Sequence, residues 1–75
     1  MHSLGQKLRK LRREREWSGQ KLADLAGVSR MTIFRIEKGR TSGVRLDTLE
    51  SIAKVLGVSV QELLSEEEEE RLATY

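Results

Sequence analysis

The chain has 75 residues, with 14 Lys and Arg against 12 Asp and Glu, and contains neither cysteine nor proline. This length supports one domain with one small core, and without cysteine neither a disulfide nor a thiolate-bound metal can stabilise it. No apolar run approaches the roughly 20 residues that cross a bilayer, and the N-terminus lacks the apolar core of a secretory signal, so we expect a soluble, cytoplasmic protein.

Charge is distributed unevenly along the chain. Residues 1–45 contain 12 basic and 4 acidic residues, whereas residues 46–75 contain 2 and 8. A basic front and an acidic rear orient a protein in the field of a polyanion, which favours a nucleic acid as partner. Asymmetry of this kind also arises without function, so it supports this interpretation without deciding it.

The apolar residues keep helical spacing almost throughout, which predicts an all-α domain. In the first segment Leu4, Leu8 and Leu11 form one narrow apolar stripe, and basic residues occupy most of the remaining surface. We interpret this segment as a structural first helix; a membrane-surface or calmodulin-target helix is the alternative. Trp17 precedes the next helix and is expected to cover the core.

A second helix is predicted over residues 19–26, with Ser18 as its N-cap. Its inward-facing residues are expected to be Leu22, Ala23 and Ala26. Gly27 supplies the turn that follows. Two short helices joined by a turn that contains glycine form a helix-turn-helix, provided that a third helix starts directly afterwards.

That third helix is predicted to start at Ser29, a capping residue, and to end at Gly39, which can adopt the left-handed conformation. Helical spacing divides its residues between an inner face, with Ile33, Ile36 and Glu37, and an outer face, with Arg30, Met31, Phe34 and Arg35. A surface of guanidinium groups and apolar atoms fits a DNA major groove, where arginine reads guanine and apolar atoms contact thymine methyl groups. An ordinary surface helix with scattered arginines is the alternative.

A polar, arginine-containing loop over residues 40–45 follows, and then a fourth helix over residues 46–56 that lacks a clear N-cap. The residues of this helix expected to face inward are Leu46, Leu49, Ile52, Ala53 and Leu56. Ser59 and Glu62 have the spacing of a capping box, which predicts a short fifth helix over residues 60–64.

The last segment, residues 65–75, contains five consecutive glutamates, Glu66 to Glu70. Their mutual repulsion indicates a solvated acidic tail, separate from the domain over residues 1–64. The alternative is that this tail competes with DNA for the basic face or helps to pair subunits.

The segments LRKLRREREWSGQKLADLAGVSRMTIFRIEKG and LDTLESIAKVLGVSVQELL resemble the phage repressor and Cro family of helix-turn-helix proteins over about residues 4–64. The resemblance implies a compact five-helix bundle, a lambda-repressor-like DNA-binding domain, whose recognition helix spans residues 29–38. It also implies that Arg12 pairs with Glu37, which would account for a carboxylate on the inner face.

The resemblance further implies which residues contact DNA. Base contacts would fall on Arg30, Met31, Phe34 and Arg35, and phosphate contacts on Ser18, Gln20, Lys38, Arg40, Thr41, Ser42 and Arg45. Two positions depart from the family pattern. Gly19 stands where glutamine usually contacts a phosphate, and the loop around Gly43 lacks the usual proline.

The sequence therefore predicts a sequence-specific double-stranded DNA-binding regulator of transcription, acting as a repressor and as a homodimer. The alternative is an antitoxin or adaptor that uses the same bundle to bind a toxin or another protein. An enzyme, a metal site and a cofactor are not expected. His2 is the only histidine, and no cluster of titratable residues offers a nucleophile with its base or a set of ligands.

Overall fold

The five predicted helices are present in the predicted order. The computed structural model describes residues 4–64. The helices are α1 (Leu4–Glu14), α2 (Gly19–Ala26), α3 (Arg30–Glu37), α4 (Leu46–Leu56) and α5 (Val60–Leu64). Residues 4–64 contain no strand, and the all-α class is confirmed. His2 and the acidic tail over residues 65–75 lie outside the described residues.

Short-range hydrogen bonds fix where the helices begin. The Ser18 hydroxyl accepts a bond from the Lys21 amide at 3.0 Å, and the Ser29 hydroxyl accepts one from the Thr32 amide at 3.1 Å. At α5 the capping box is complete, since the Glu62 amide donates to the Ser59 hydroxyl at 3.0 Å and the Ser59 amide donates to Glu62 Oε1 at 3.2 Å. These three predicted starts are confirmed. Helix α4 begins without a side-chain cap, as the sequence suggested.

One apolar core joins all five helices. Its buried residues are Leu8, Leu22, Ala23, Ile33, Ile36, Ile52, Ala53, Leu56 and Leu63. Trp17 packs against this core, as predicted for a residue just before the first turn of α2. Because Ile33 and Ile36 are both fully covered, the inner face of α3 is fixed and its opposite face must point away from the bundle.

Leu46 does not lie in the core, and its predicted inward position was wrong. Its side chain is 62% exposed, whereas Val44 packs against the core two residues earlier. At 100° per residue, Leu46 lies about 80° away from Leu56 around α4, at the edge of the apolar stripe. Val44 enters the core from the loop instead.

Arg15 is half-buried and makes contacts that helical spacing did not indicate. Its guanidinium donates a hydrogen bond from Nη1 to the Leu11 carbonyl at 2.9 Å and another from Nη2 to the Leu56 carbonyl. The same group lies 6.0 Å from the centroid of the Trp17 ring. Arg15 thus connects the last turn of α1 to the last turn of α4, where helix carbonyls lack partners within the helix.

Candidate nucleic-acid interface

The outer face of α3 is exposed and carries all four residues predicted to read bases. Arg30, Met31, Phe34 and Arg35 are each exposed to solvent. The helix ends at Glu37, followed by Lys38 as its C-cap and Gly39 with φ of +81°, so it closes close to the predicted position. Short as it is, this helix is held by its buried inner face and its N-cap rather than by its own length.

Two large apolar side chains lie in the middle of this outer face. Met31 is 55% exposed and Phe34 is 51% exposed. The Lys38 ammonium lies 5.4 Å from the centroid of the Phe34 ring, within the range of a cation–π contact. Lys38 therefore belongs to the outer face of α3.

A cleft borders α3 on the side of α2, and we call it the α2 cleft. It has a volume of about 390 Å³, and its lining includes Ser18, Gly19, Gln20, Arg30 and Phe34. A Cβ atom at Gly19 would lie 4.0 Å from Ile33 Cγ2. The structure therefore has space for a side chain at this position, where the family pattern has glutamine. The positive end of the α2 dipole adds to the charge of Arg30 here.

The two predicted phosphate-binding side chains of the α2 cleft already have partners. Ser18 caps α2, and Gln20 Nε2 donates to Asp24 Oδ1 at 2.8 Å one turn further along the helix. Both are exposed to solvent. The cap bond uses one lone pair of the Ser18 oxygen and leaves its hydroxyl proton available, since a hydroxyl both donates and accepts.

A second cleft borders α3 on the side of α4, and we call it the α4 cleft. It has a volume of about 230 Å³, and its lining includes Thr32, Arg35, Arg40, Ser42, Arg45 and Thr48. Three arginines thus line one small cleft at the start of α4. Because no side chain caps α4, the amides of its first turn add further positive potential.

Helix α3 therefore lies between two clefts and contributes one of its own arginines to each of them. Arg30 lines the α2 cleft and Arg35 lines the α4 cleft, while Met31 lines neither. Lys38 and Thr41 are exposed but line neither cleft. Thr32 and Thr48 line the α4 cleft and were not singled out from the sequence, because each contributes only a hydroxyl and no spacing signal.

Arg12 and Glu37 hold α3 at this orientation. Arg12 Nε donates to Glu37 Oε2 at 2.8 Å, and Arg12 Nη2 donates to Glu37 Oε1 at 3.0 Å. The third guanidinium nitrogen, Nη1, donates to the Trp17 carbonyl at 2.8 Å. The hydrogen bond to Glu37 raises the pKa of Arg12 above its ordinary value, against the opposing effect of burial. The pairing implied by the resemblance is present.

The bundle with its two flanking clefts can be compared with known proteins. The family model described as Helix-turn-helix matches residues 8–63. The chain belongs to this Cro/C1-type helix-turn-helix family. The family match includes α2, α3 and α4 entirely, and hence both clefts beside α3.

Two relatives in this helix-turn-helix family are transcriptional regulators. SinR from Bacillus subtilis is 35% identical over 66 residues, which are 88% of this chain and 60% of SinR. The cryptic phage CTXphi repressor RstR from Vibrio cholerae is 40% identical over 62 residues, which are 83% of this chain and 55% of RstR. The chain thus spans less than two thirds of the length of either relative.

Solved structures similar to this chain include a complex with DNA, a complex with another protein and an enzyme. SinR in complex with DNA gives a TM-score of 0.75 at 34% identity, over 81% of this chain and 97% of that one. The complex of SinR with SinI gives 0.79 at 32% identity, over 95% of this chain and 75% of that one. Hydroxypropylphosphonic acid epoxidase gives 0.71 at 30% identity, but the match covers only 31% of that enzyme. The fold alone therefore does not determine function, which must be argued from the site.

Within residues 4–64, no group of three or more His, Cys, Asp and Glu side chains is placed to hold a metal ion. In the same range, no helix combines the length and the apolar content that a bilayer-crossing segment requires.

Proposed function

We propose that this protein binds a specific sequence of double-stranded DNA, with α3 in the major groove, and thereby regulates transcription as a repressor. The observation that carries the proposal is the position of α3, whose exposed arginines and apolar side chains lie between two clefts that are each lined by at least one exposed arginine. SinR, which shares the fold, has been solved with DNA.

The dimensions of B-DNA suit this arrangement. Its major groove is about 12 Å wide and admits one α-helix, and a phosphate backbone runs along each side. With α3 in the groove, the α2 cleft and the α4 cleft face the two backbones. Base edges then meet Arg30, Met31, Phe34 and Arg35, and the phosphates meet the groups that line or adjoin the clefts, which are Ser18, Gln20, Lys38, Arg40, Thr41, Ser42 and Arg45.

We propose that the protein acts as a homodimer. One recognition helix offers only a few base-reading side chains, and each good arginine contact discriminates by about 1–3 kcal/mol. Two subunits on half-sites about 34 Å apart double the number of base contacts. Leu64 is 54% exposed at the end of α5, and together with the half-buried Val58 and Val60 it is the candidate subunit surface.

DNA fits the outer face of α3 better than a protein partner does. An antitoxin or adaptor would use Met31 and Phe34 as apolar anchors, and the relative SinR has been solved with the protein SinI. However, two apolar anchors do not by themselves account for the three arginines of the α4 cleft or for the uncapped start of α4. These features fit phosphate groups. We accordingly propose binding without catalysis, in the cytoplasm.

The proposal is tested by selecting bound sequences from a pool of random duplexes. We expect enrichment of a two-fold symmetric sequence whose half-sites are about one helical turn apart. The same experiment reports the operator and the half-site spacing. A pool without any enriched sequence, from a preparation shown to be folded by circular dichroism, would exclude sequence-specific DNA binding.

Single arginine substitutions should separate base reading from phosphate binding. Arg30→Ala or Arg35→Ala is expected to weaken binding to the selected operator by about 1–3 kcal/mol and to change binding to random duplex far less. Arg40→Ala is expected to weaken both alike and to lower the slope of log affinity against log salt by about one. Fluorescence anisotropy titrations at several salt concentrations measure both quantities.

Arg13→Ala is the matched control for these variants. It removes one positive charge from an exposed position on α1 and outside both clefts. We expect only the small change that follows from net charge. If Arg30→Ala and Arg40→Ala reduced binding to both duplexes by the same factor, the proposed division between base and phosphate contacts would be wrong.

A further inference from the structure

The outer face of α3 offers hydrogen-bond donors and apolar atoms to a partner. Its exposed residues are Arg30, Met31, Phe34, Arg35 and Lys38. Over residues 29–38, the acceptor side chains of Ser29, Thr32 and Glu37 all make hydrogen bonds within the protein, and the one carboxylate among them is paired with Arg12. The Ser29 oxygen accepts from the Thr32 amide and shares a bond of 2.9 Å with the Thr32 hydroxyl, and both oxygens of Glu37 accept from Arg12.

This inventory restricts which base edges the face can recognise. In the major groove cytosine presents an amino donor, and adenine presents an amino donor beside one acceptor. To read either amino group by a hydrogen bond the protein must supply an acceptor, whereas a methyl group is read by apolar contact alone. Guanine presents two acceptors, which match the two donors of an arginine, and thymine presents an acceptor and a methyl group. Donors combined with apolar atoms therefore favour guanine and a pyrimidine with a 5-methyl group.

A hollow in this face has a lining that suits such a methyl group. It has a volume of about 320 Å³ and is lined by Arg30, Met31 and Phe34. The two apolar side chains are each about half exposed, so a methyl group placed between them removes apolar surface on both sides from water. Lys38 lies over the Phe34 ring, which keeps a cation rather than an anion beside the hollow.

We propose that the hollow between Met31 and Phe34 binds the 5-methyl group of a pyrimidine, while Arg30 donates to a neighbouring guanine. This inference rests on the DNA-binding function proposed above. The methyl group has two possible sources, thymine and 5-methylcytosine, which present it at the same place in the major groove. The occupancy of an operator with cytosine at this position would then depend on cytosine methylation.

The test uses the selected operator with each thymine replaced in turn by deoxyuridine, which removes the methyl group and retains the hydrogen-bonding edge. At the position that meets the hollow we expect affinity to fall about four-fold, the effect of one buried methyl group. Phe34→Ala and Met31→Ala should each reduce this difference between thymine and uracil. Phe34→Leu should retain it, because the leucine side chain still covers the methyl group.

Leu25→Ala is the control, since Leu25 is an exposed apolar residue of α2 outside the hollow. It should leave the penalty for uracil unchanged. A second arm places cytosine or 5-methylcytosine at the sensitive position. Tighter binding to the methylated duplex supports recognition of the methyl group from either source. Equal binding restricts the recognition to thymine and overturns the dependence on cytosine methylation.

Equal affinity for thymine and uracil at every position of a bound operator would overturn the inference while leaving the proposed function in place. A uracil penalty that persists undiminished in Phe34→Ala and Met31→Ala would also overturn it, because the methyl group would then contact another part of the protein. Failure to enrich any operator removes the function on which the inference depends, and is therefore distinguishable from both of these results.

Discussion

Arg12→Ala is expected to lower the free energy of unfolding by about 3 kcal/mol, because it leaves a largely covered carboxylate without its partner. The substitution removes three hydrogen bonds, two to Glu37 and one to the Trp17 carbonyl. The carboxylate that remains is 14% exposed, so water cannot replace the lost guanidinium fully. Urea denaturation followed by circular dichroism measures the change.

The neighbouring Arg13 again provides the control, because Arg13→Ala removes an exposed guanidinium from the same helix and should change stability by less than about 0.5 kcal/mol. Glu37→Ala should destabilise about as much as Arg12→Ala. The double variant should lose less than the sum of the two, since it leaves no unpaired charge. Equal urea midpoints for Arg12→Ala and Arg13→Ala would show that the pair contributes nothing to stability.

The raised pKa of Arg12 also determines how this contribution depends on pH. A base whose pKa is higher in the folded state than in the unfolded state stabilises the fold at every pH below its unfolded value. That stabilisation is lost only as the pH rises through the folded pKa. For arginine this range lies above the pH at which unfolding is ordinarily measured, so titration of Arg12 should not change stability near neutral pH.

The sequence predicted most helix boundaries because their causes are local. Ser18 and Ser29 each accept from an amide three residues ahead, and Gly27 and Gly57 end α2 and α4 with positive φ. Signals within one turn of the chain can be recognised without knowing the fold. No such glycine marks the end of α1, where Glu16 takes the left-handed conformation, with φ of +57°.

Features that depend on distant residues were missed. Leu46 was assigned to the core by spacing alone, because nothing in α4 itself indicates that Val44 packs there instead. The role of Arg15 depends on the Leu56 carbonyl, which is 41 positions away. Gly5 was not singled out at all. From the local sequence, a glycine that allows two helices to approach closely cannot be distinguished from a glycine on the exposed surface of a helix.

The part of the candidate site that depends on local spacing was predictable from the sequence. All four outer residues of α3 follow from helical spacing. The separation of Arg30 from Arg35 into different clefts does not, because it depends on how α2 and α4 pack beside α3. The convergence of Arg35, Arg40 and Arg45 likewise requires the path of the loop over residues 40–45. Composition predicted a basic surface. The distribution of its arginines between two clefts, one on each side of α3, follows only from the packing of the helices.

Gly5→Ala is the second substitution with a large expected effect, a loss of about 2–3 kcal/mol of unfolding free energy. Its Cβ atom would lie 2.2 Å from the Ile36 carbonyl oxygen and 2.9 Å from the Glu37 Cα atom. Both are backbone atoms, which cannot rotate out of the way, so α1 and α3 must move apart. This strain exceeds the preference of about 1 kcal/mol that alanine has over glycine inside a helix.

Gly19→Ala separates this steric effect from helix propensity. At Gly19 the new Cβ atom would lie 4.0 Å from Ile33, an ordinary contact distance, so the same substitution should be neutral or slightly stabilising in thermal and urea unfolding. Gly5→Ala should also weaken operator binding under conditions where the protein remains folded, because the displaced backbone includes Glu37, whose pairing with Arg12 orients α3. If both glycine variants were as stable as the parent, α1 and α3 would not approach each other this closely in solution.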